Sequence, residues 1–239
     1  GLSTFLKKNP LPVYGADDTL DFLDANGIVP ASCALRTLSG GEEDVGDFGV
    51  TMFPTSHDVP CVGYRIHTPD GKTMTLATDL GVLTPPVHEA LSGCDLVALE
   101  SNYDLHMLRS GPYPYYLRAR IESARGHLSN DECSAKLLEQ CRDAFRQKDF
   151  FTCGKAAEGI LALRFAPDLV RGEAYYMLSV CYAGHGYKRS STLLSPKELM
   201  LRAYKFGYAG AREVLLNKYG FDAAPLLLRP RAKALHGTA

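Results

Sequence analysis

The chain has no apolar run approaching the roughly eighteen residues of a membrane span, and no stretch laid out like a signal peptide. No Cys-x-x-Cys pair occurs among its 7 cysteines, an odd number that favours reduced, mostly buried thiols in a cytoplasmic protein over a disulfide framework. Charge is sparse as well. At 22% charged and 46% hydrophobic residues the sequence is no disordered polyampholyte and can bury a core, and 239 residues suit one large domain or two small ones. The net charge of −1, with the Lys and Arg of the carboxy-terminal half spread among helices without a cluster, gives no argument for nucleic-acid binding from total charge. The first residue is Gly1 rather than Met, which suggests a fragment or a processed chain.

The near-neutral total conceals an asymmetry. Residues 1–130 hold 9 Lys or Arg against 16 Asp or Glu, whereas residues 131–239 hold 17 against 11, so composition changes sign near residue 130–150. The texture changes there too. In the first part, Leu11–Tyr14 reads as a strand, Asp17–Asn26 as a helix ended by Gly27, and Gly40–Asp44 as a turn. Strands are expected near 48–54, 62–68, 72–78 and 95–100, with Asp70-Gly71 as a hairpin turn and the last strand apolar enough to be buried on both faces. From Ser129 the period becomes 3.6: Ser129-Asn-Asp-Glu132 resembles a capping box, residues 156–165 and 173–183 are helix-patterned, and Ser195-Pro-Lys-Glu198 opens another helix. Ala174, Leu178 and Tyr182 recur as Ala211, Leu215 and Tyr219, an offset of 37 residues. That spacing resembles tetratricopeptide or Sel1-like helical repeats, which usually bind other proteins; an ordinary helical bundle is the alternative.

Four residues could carry chemistry. His57, in Ser56-His57-Asp58, and Asp79, in Thr78-Asp79-Leu80-Gly81, each follow a strand, and imidazole with carboxylate suits a zinc site. A turn Asp and a surface His would fit the same spacing. Glu100 ends a strand and His127 precedes a helix start; brought together, they would form a hydrogen-bonded pair able to deliver a proton to a leaving oxygen.

The order of these motifs resembles the metallo-β-lactamase superfamily, in its WalJ-type branch related to ribonuclease Z, over residues 1 to about 136. The likeness rests on Phe53-Pro-Thr-Ser-His57-Asp58, Val62-Gly-Tyr64, Ala77-Thr-Asp79-Leu-Gly81 and Leu99-Glu100-Ser-Asn-Tyr-Asp104, then on Met107-Leu-Arg-Ser-Gly-Pro-Tyr-Pro114 and Gly126-His127-Leu-Ser-Asn130. The resemblance implies an α/β fold: an incomplete αββα sandwich over 1–136, followed by an α-helical, repeat-like region over 137–239. It implies zinc or manganese held by His57 and Asp79, the latter as the carboxylate bridging two metals, and Glu100 with His127 as the proton-delivering pair. It also implies a nuclease-type hydrolase acting on a phosphodiester or nucleic-acid substrate.

Three departures qualify the likeness. The leading His-x-His-x-Asp-His motif is absent, the region of the final family His has become polar Gln140–Lys148, and Tyr103 stands where the branch usually has His. His185 and His106 are the remaining candidates for a ligand. With only His57 and Asp79 left, the chain alone is expected to bind metal weakly and to be a poor catalyst. The alternatives are a non-catalytic scaffold that binds a protein partner through its carboxy-terminal helices, or a chimaeric fragment.

Overall fold

A computed structural model describes residues 1–163, 166–184, 187 and 194–224. The chain divides into two units, Gly1–Ser129 and Asn130–Ala239. The division falls ahead of residue 136 because one helix, α6, runs unbroken over Asn130–Arg146.

In the first unit, helices α1 (Leu2–Lys8) and α2 (Asp17–Ala25) accompany a parallel pair of short strands, β1 (Val13–Gly15) and β2 (Leu35–Thr37). Leu6, Val29 and Cys33 bury a small core there, with Val13, Leu23 and Leu35 against it. The main sheet has five strands in the order β3-β4-β5-β6-β7, namely Glu42–Val45, Phe48–Thr55, Cys61–His67, Thr73–Ala77 and Leu96–Leu99. The four strands expected between residues 48 and 100 are therefore present. One reading needs correction: Glu42–Asp44 belong to strand β3 rather than to a turn, paired antiparallel with β4. The turn lies one step later, at Gly46, whose φ of 64° suits glycine. An edge strand exposes alternate residues to water and so tolerates the acidic run that reads as a turn.

Strands β5 and β6 form a hairpin closed by Thr68–Lys72, with Gly71 at φ 76° as Asp70-Gly71 predicts. Strand β7 pairs parallel with β6, and helix α3 (Pro85–Leu91) makes the crossover between them. Val87, Ala90 and Leu91 of α3 pack on Phe53 and Ala77 of the sheet and on Leu80. The chain end of α3 is tied to the sheet by Arg65, whose Nη1 donates to the carbonyls of Ala90 and Ser92 at 2.5 and 2.9 Å. Two short helices, α4 (Leu105–Ser110) and α5 (Tyr115–Ile121), follow β7.

The second unit is helical throughout its described residues: α6, then α7 (Phe150–Ala162), α8 (Asp168–Tyr182), α9 (Pro196–Lys205) and α10 (Gly210–Tyr219). Among the described residues no strand lies beyond 129, as the change of period requires. Ser195 and Glu198 form the expected capping box at the start of α9. The recurring residues occupy matched positions on α8 and α10: Ala174, Leu178, Ala211 and Leu215 are all buried in one core. All seven cysteines are free, and five are buried. Cys153 and Cys181 have thiols held above the ordinary range, Cys153 first by its hydrogen bond with Cys141 and Cys181 first by that with Cys153, with burial adding to both. These are inert core groups. No described helix is long and apolar enough to cross a membrane.

Asp149 caps α7, its carboxylate accepting the Thr152 backbone N–H at 3.0 Å. Hydrogen bonds from Thr152 hold this carboxyl below its ordinary value. Its contribution is therefore complete above the unfolded-state pKa and is lost as pH falls through the lower folded-state value. Asp149→Ala is expected to cost about 1 kcal/mol in urea unfolding at neutral pH. The gap to wild type should close as the pH drops below roughly 4.

Candidate functional site

Strand direction brings the chemistry to one place. Strand β5 is antiparallel to both β4 and β6, and β7 is parallel to β6, so β4, β6 and β7 all run the same way. Their carboxyl ends share one edge of the sheet. His57 lies two residues past β4, Asp79 two past β6 and Glu100 one past β7. The ends are joined by hydrogen bonds: Gly81 N to Ser56 O at 2.8 Å, Glu100 N to Ala77 O at 2.9 Å, and Thr55 Oγ1 to Asp79 O at 3.0 Å.

Asp79 adopts φ 54°, in the left-handed region that non-glycine residues rarely enter. Aspartate is among the side chains that tolerate it, at a cost of order 1–3 kcal/mol. The surroundings enforce it, because Ala77 and Leu80 on either side are fully buried and the Asp79 carbonyl is held by Thr55. Strain held in this way at a strand end is characteristic of functional sites.

His127 arrives from elsewhere in the sequence, on the turn that follows α5. His127 N donates to Ile121 O at 3.0 Å and Gly126 N to Ser123 O at 2.8 Å, which closes the turn. Ser56 Oγ donates to Ala124 O at 2.8 Å, and Arg125 Nε donates to His57 O at 2.9 Å, which fastens the turn to the end of β4. Two glycines make the fit possible. A Cβ on Gly81 would stand 2.5 Å from Ser123 O, and one on Gly126 would collide with the carbonyls of Arg120 and Ile121.

The ring nitrogens are assigned by their partners. His57 Nδ1 lies 2.9 Å from Gly126 O; a carbonyl can only accept, so Nδ1 carries the proton. That leaves Nε2 beside Asp58 Oδ1, 3.2 Å away. Asp58 itself is held below the ordinary carboxylate range, first by its hydrogen bond from Arg120. His127 Nδ1 lies 2.6 Å from Glu100 Oε1, which leaves its Nε2 free. The Glu100 side chain is only 8% exposed and is saturated by the Leu80 N–H and Asn102 Nδ2, both at 3.0 Å, besides His127.

The donor atoms of His57, Asp79 and His127 lie within 4.8 Å of one another. This donor set fits a metal: two imidazoles and a carboxylate match zinc, which takes three protein ligands and keeps a fourth position for water. Each imidazole is oriented through its other nitrogen, as metal-bound histidines are. The four residues singled out from the sequence thus share one site, with Glu100 behind His127. The sequence reading missed that His127 stands among the donors, because nothing in local spacing reveals which way a turn 27 residues beyond Glu100 folds back. His106 lies exposed on α4 outside this group, and His185 lies outside the described residues.

No protein-family model matches the chain. It is 29% identical over 145 residues to exodeoxyribonuclease YycJ of Bacillus anthracis, covering 60% of this chain and 54% of that protein. It is 28% identical over 141 residues to exodeoxyribonuclease WalJ of Streptococcus pneumoniae, covering 58% and 52% respectively. The chain thus spans about half the length of the curated relatives it matches. Among solved structures it is similar to Zn²⁺-bound PqqB from Methylobacterium extorquens, at a TM-score of 0.46 and 21% identity over 58% of this chain and 50% of that one. It is also similar to the metallo-β-lactamase fold protein YhfI from Bacillus subtilis, at a TM-score of 0.40 and 20% identity over 59% and 50%.

Gly126→Ala should force the 121–127 turn off the sheet edge and destabilise the protein by about 1–3 kcal/mol in urea unfolding. Gly159→Ala, in α7 with open space around its Cα, is the control and should stabilise by about 0.5–1 kcal/mol.

Proposed function

We propose that the amino-terminal unit belongs to a metal-dependent hydrolase of the metallo-β-lactamase type that cleaves phosphodiesters in nucleic acid. The observation that carries this reading is the grouping of His57, Asp79 and His127 within 4.8 Å at the shared strand edge. The exodeoxyribonuclease names of the two sequence relatives support the substrate class.

His57, Asp79 and His127 would hold the metal. A divalent ion in this position supplies a water acidified toward neutral pH and a positive charge for the phosphate oxygens. The remaining work falls to the protein. Gly126 O fixes the His57 tautomer and Glu100 holds Nδ1 of His127, so Nε2 is the nitrogen each ring would offer a metal. Zinc suits the two nitrogens better than manganese, which prefers oxygen donors. Two donors had been expected from the sequence; the three grouped among the described residues suffice for one ion with an open position but fall short of a binuclear centre. Low turnover by this chain follows from that count.

The short Glu100–His127 hydrogen bond favours a second reading of His127, exclusive of ligation, in which Nε2 carries a proton and no metal. Protonated on both nitrogens, it would give the Nε2 proton to the leaving oxygen while Glu100 stabilises the imidazolium. For the second unit, the matched burial of Ala174 and Leu178 with Ala211 and Leu215 supports a Sel1-like protein-binding module.

Zinc titration of dialysed protein separates the roles. His57→Ala, Asp79→Ala and His127→Ala are each expected to lower zinc affinity at least about tenfold, and Glu100→Gln by about 10–100-fold. Metal-dependent cleavage of a labelled oligonucleotide should fall with them. Undiminished zinc affinity in His127→Ala, with cleavage lost, would assign His127 to proton delivery alone. Zinc affinity unchanged in all four variants would refute the site.

A further inference from the structure

Ahead of residue 105 the first unit is acidic overall, and one later segment reverses the sign. Residues 1–104 carry 5 Lys or Arg and 15 Asp or Glu, whereas residues 105–125 carry four arginines and the single acid Glu122. This segment comprises α4, α5 and the turn that bears His127. Two of its arginines are matched by carboxylates, Arg109 by Glu122 and Arg120 by Asp58. The other two hydrogen-bond only carbonyl oxygens: Arg118 that of Arg109, and Arg125 those of His57 and Asp58. Neither has a bonded counter-ion, but only Arg125 is exposed; Arg118 is half-buried, with its Nε out of reach of water.

The same segment exposes its aromatics. Tyr115 and Tyr116, at the start of α5, are 78% and 74% exposed, and neither makes a hydrogen bond or ring contact with a described residue. Side chains this large are normally at least partly covered. Helix α5 links them to the site, since Tyr115 and Ile121 are six residues apart, roughly 9 Å along a helix, and Ile121 O holds His127 N.

We infer that α5 and its flanking turn form a docking platform for an unpaired polynucleotide strand, with Tyr115 and Tyr116 stacking on bases and Arg125 meeting a phosphate. Exposed aromatic rings and a guanidinium free to meet phosphate are the two elements by which proteins hold single strands without reading sequence. An anionic chain is also the partner that the charge pattern selects, because a basic island on an acidic unit confines a polyanion to this edge. The inference rests on the hydrolase reading above and gives it a direction: the strand would run along α5 toward His57 and His127. Arg125 couples the two, since it holds the main chain of His57 and Asp58.

The test is binding of the whole chain to fluorescent oligothymidylate and oligouridylate, with a chelator present so that binding is read without cleavage. Wild type should bind both, and Tyr115→Ala with Tyr116→Ala should weaken binding by roughly tenfold or more. Phenylalanine at both positions keeps the stacking faces and should stay within about twofold. Arg125→Gln should reduce the slope of log affinity against log salt by about 0.7. A single-strand preference should show as weaker binding of a duplex of the same length. Equal affinity in wild type and the alanine variant would overturn the platform, as would no binding by wild type, or Tyr-dependent binding to anionic lipid vesicles in place of oligonucleotides. A chain that binds strands through these residues but never cleaves them would remove the hydrolase reading and leave the platform standing.

Discussion

The parallel sense of β4, β6 and β7 is the constraint on which the site depends. An antiparallel partner between β4 and β6 and a helical crossover between β6 and β7 turn three strands the same way. Three consecutive strand ends then emerge at one edge, and the residue immediately or next after each end carries a polar group. The hydrogen bonds between Ser56 and Gly81, Thr55 and Asp79, and Ala77 and Glu100 fix those ends against one another. Without that agreement of direction, His57 and Asp79 would lie at opposite ends of the sheet.

A second constraint completes the group. The His127 turn has no strand of its own to position it and relies on close packing instead. Its carbonyls occupy the space that side chains on Gly81 and Gly126 would fill, and Ser56 and Arg125 hold it laterally. The bonds that seat the turn also orient the rings, since Gly126 O belongs to the turn and fixes His57. Glu100, buried and fully bonded, performs the same service for His127. Scaffold and site are therefore one set of interactions.

Much of this was legible in the sequence. β-rich composition located β4, period-two alternation β5 and β6, and a continuous apolar run β7, each within a residue or two, and Asp70-Gly71 marked the hairpin correctly. The capping box at Ser195 was visible because its two partners are three residues apart. Motif order placed His57, Asp79, Glu100 and His127 in one likeness. What stayed hidden was long-range. Glu42–Val45 reads as a turn because charge and two glycines dominate the local pattern, while its pairing with β4 is what makes it a strand. The left-handed Asp79 and the fold-back of the His127 turn are likewise set by contacts across 24 to 69 residues, which no local spacing encodes.

In the proposed zinc site, two imidazoles present Nε2 to one cation while each Nδ1 keeps its own hydrogen bond. Long-range ¹H–¹⁵N spectra of the imidazole rings during zinc titration test it most directly. Zinc addition is expected to shift the Nε2 resonances of His57 and His127 together, with both Nδ1 still protonated and His67, His88 and His106 unmoved. Zinc-dependent shifts at only one of the two rings, or metal binding through Nδ1 of either, would contradict it.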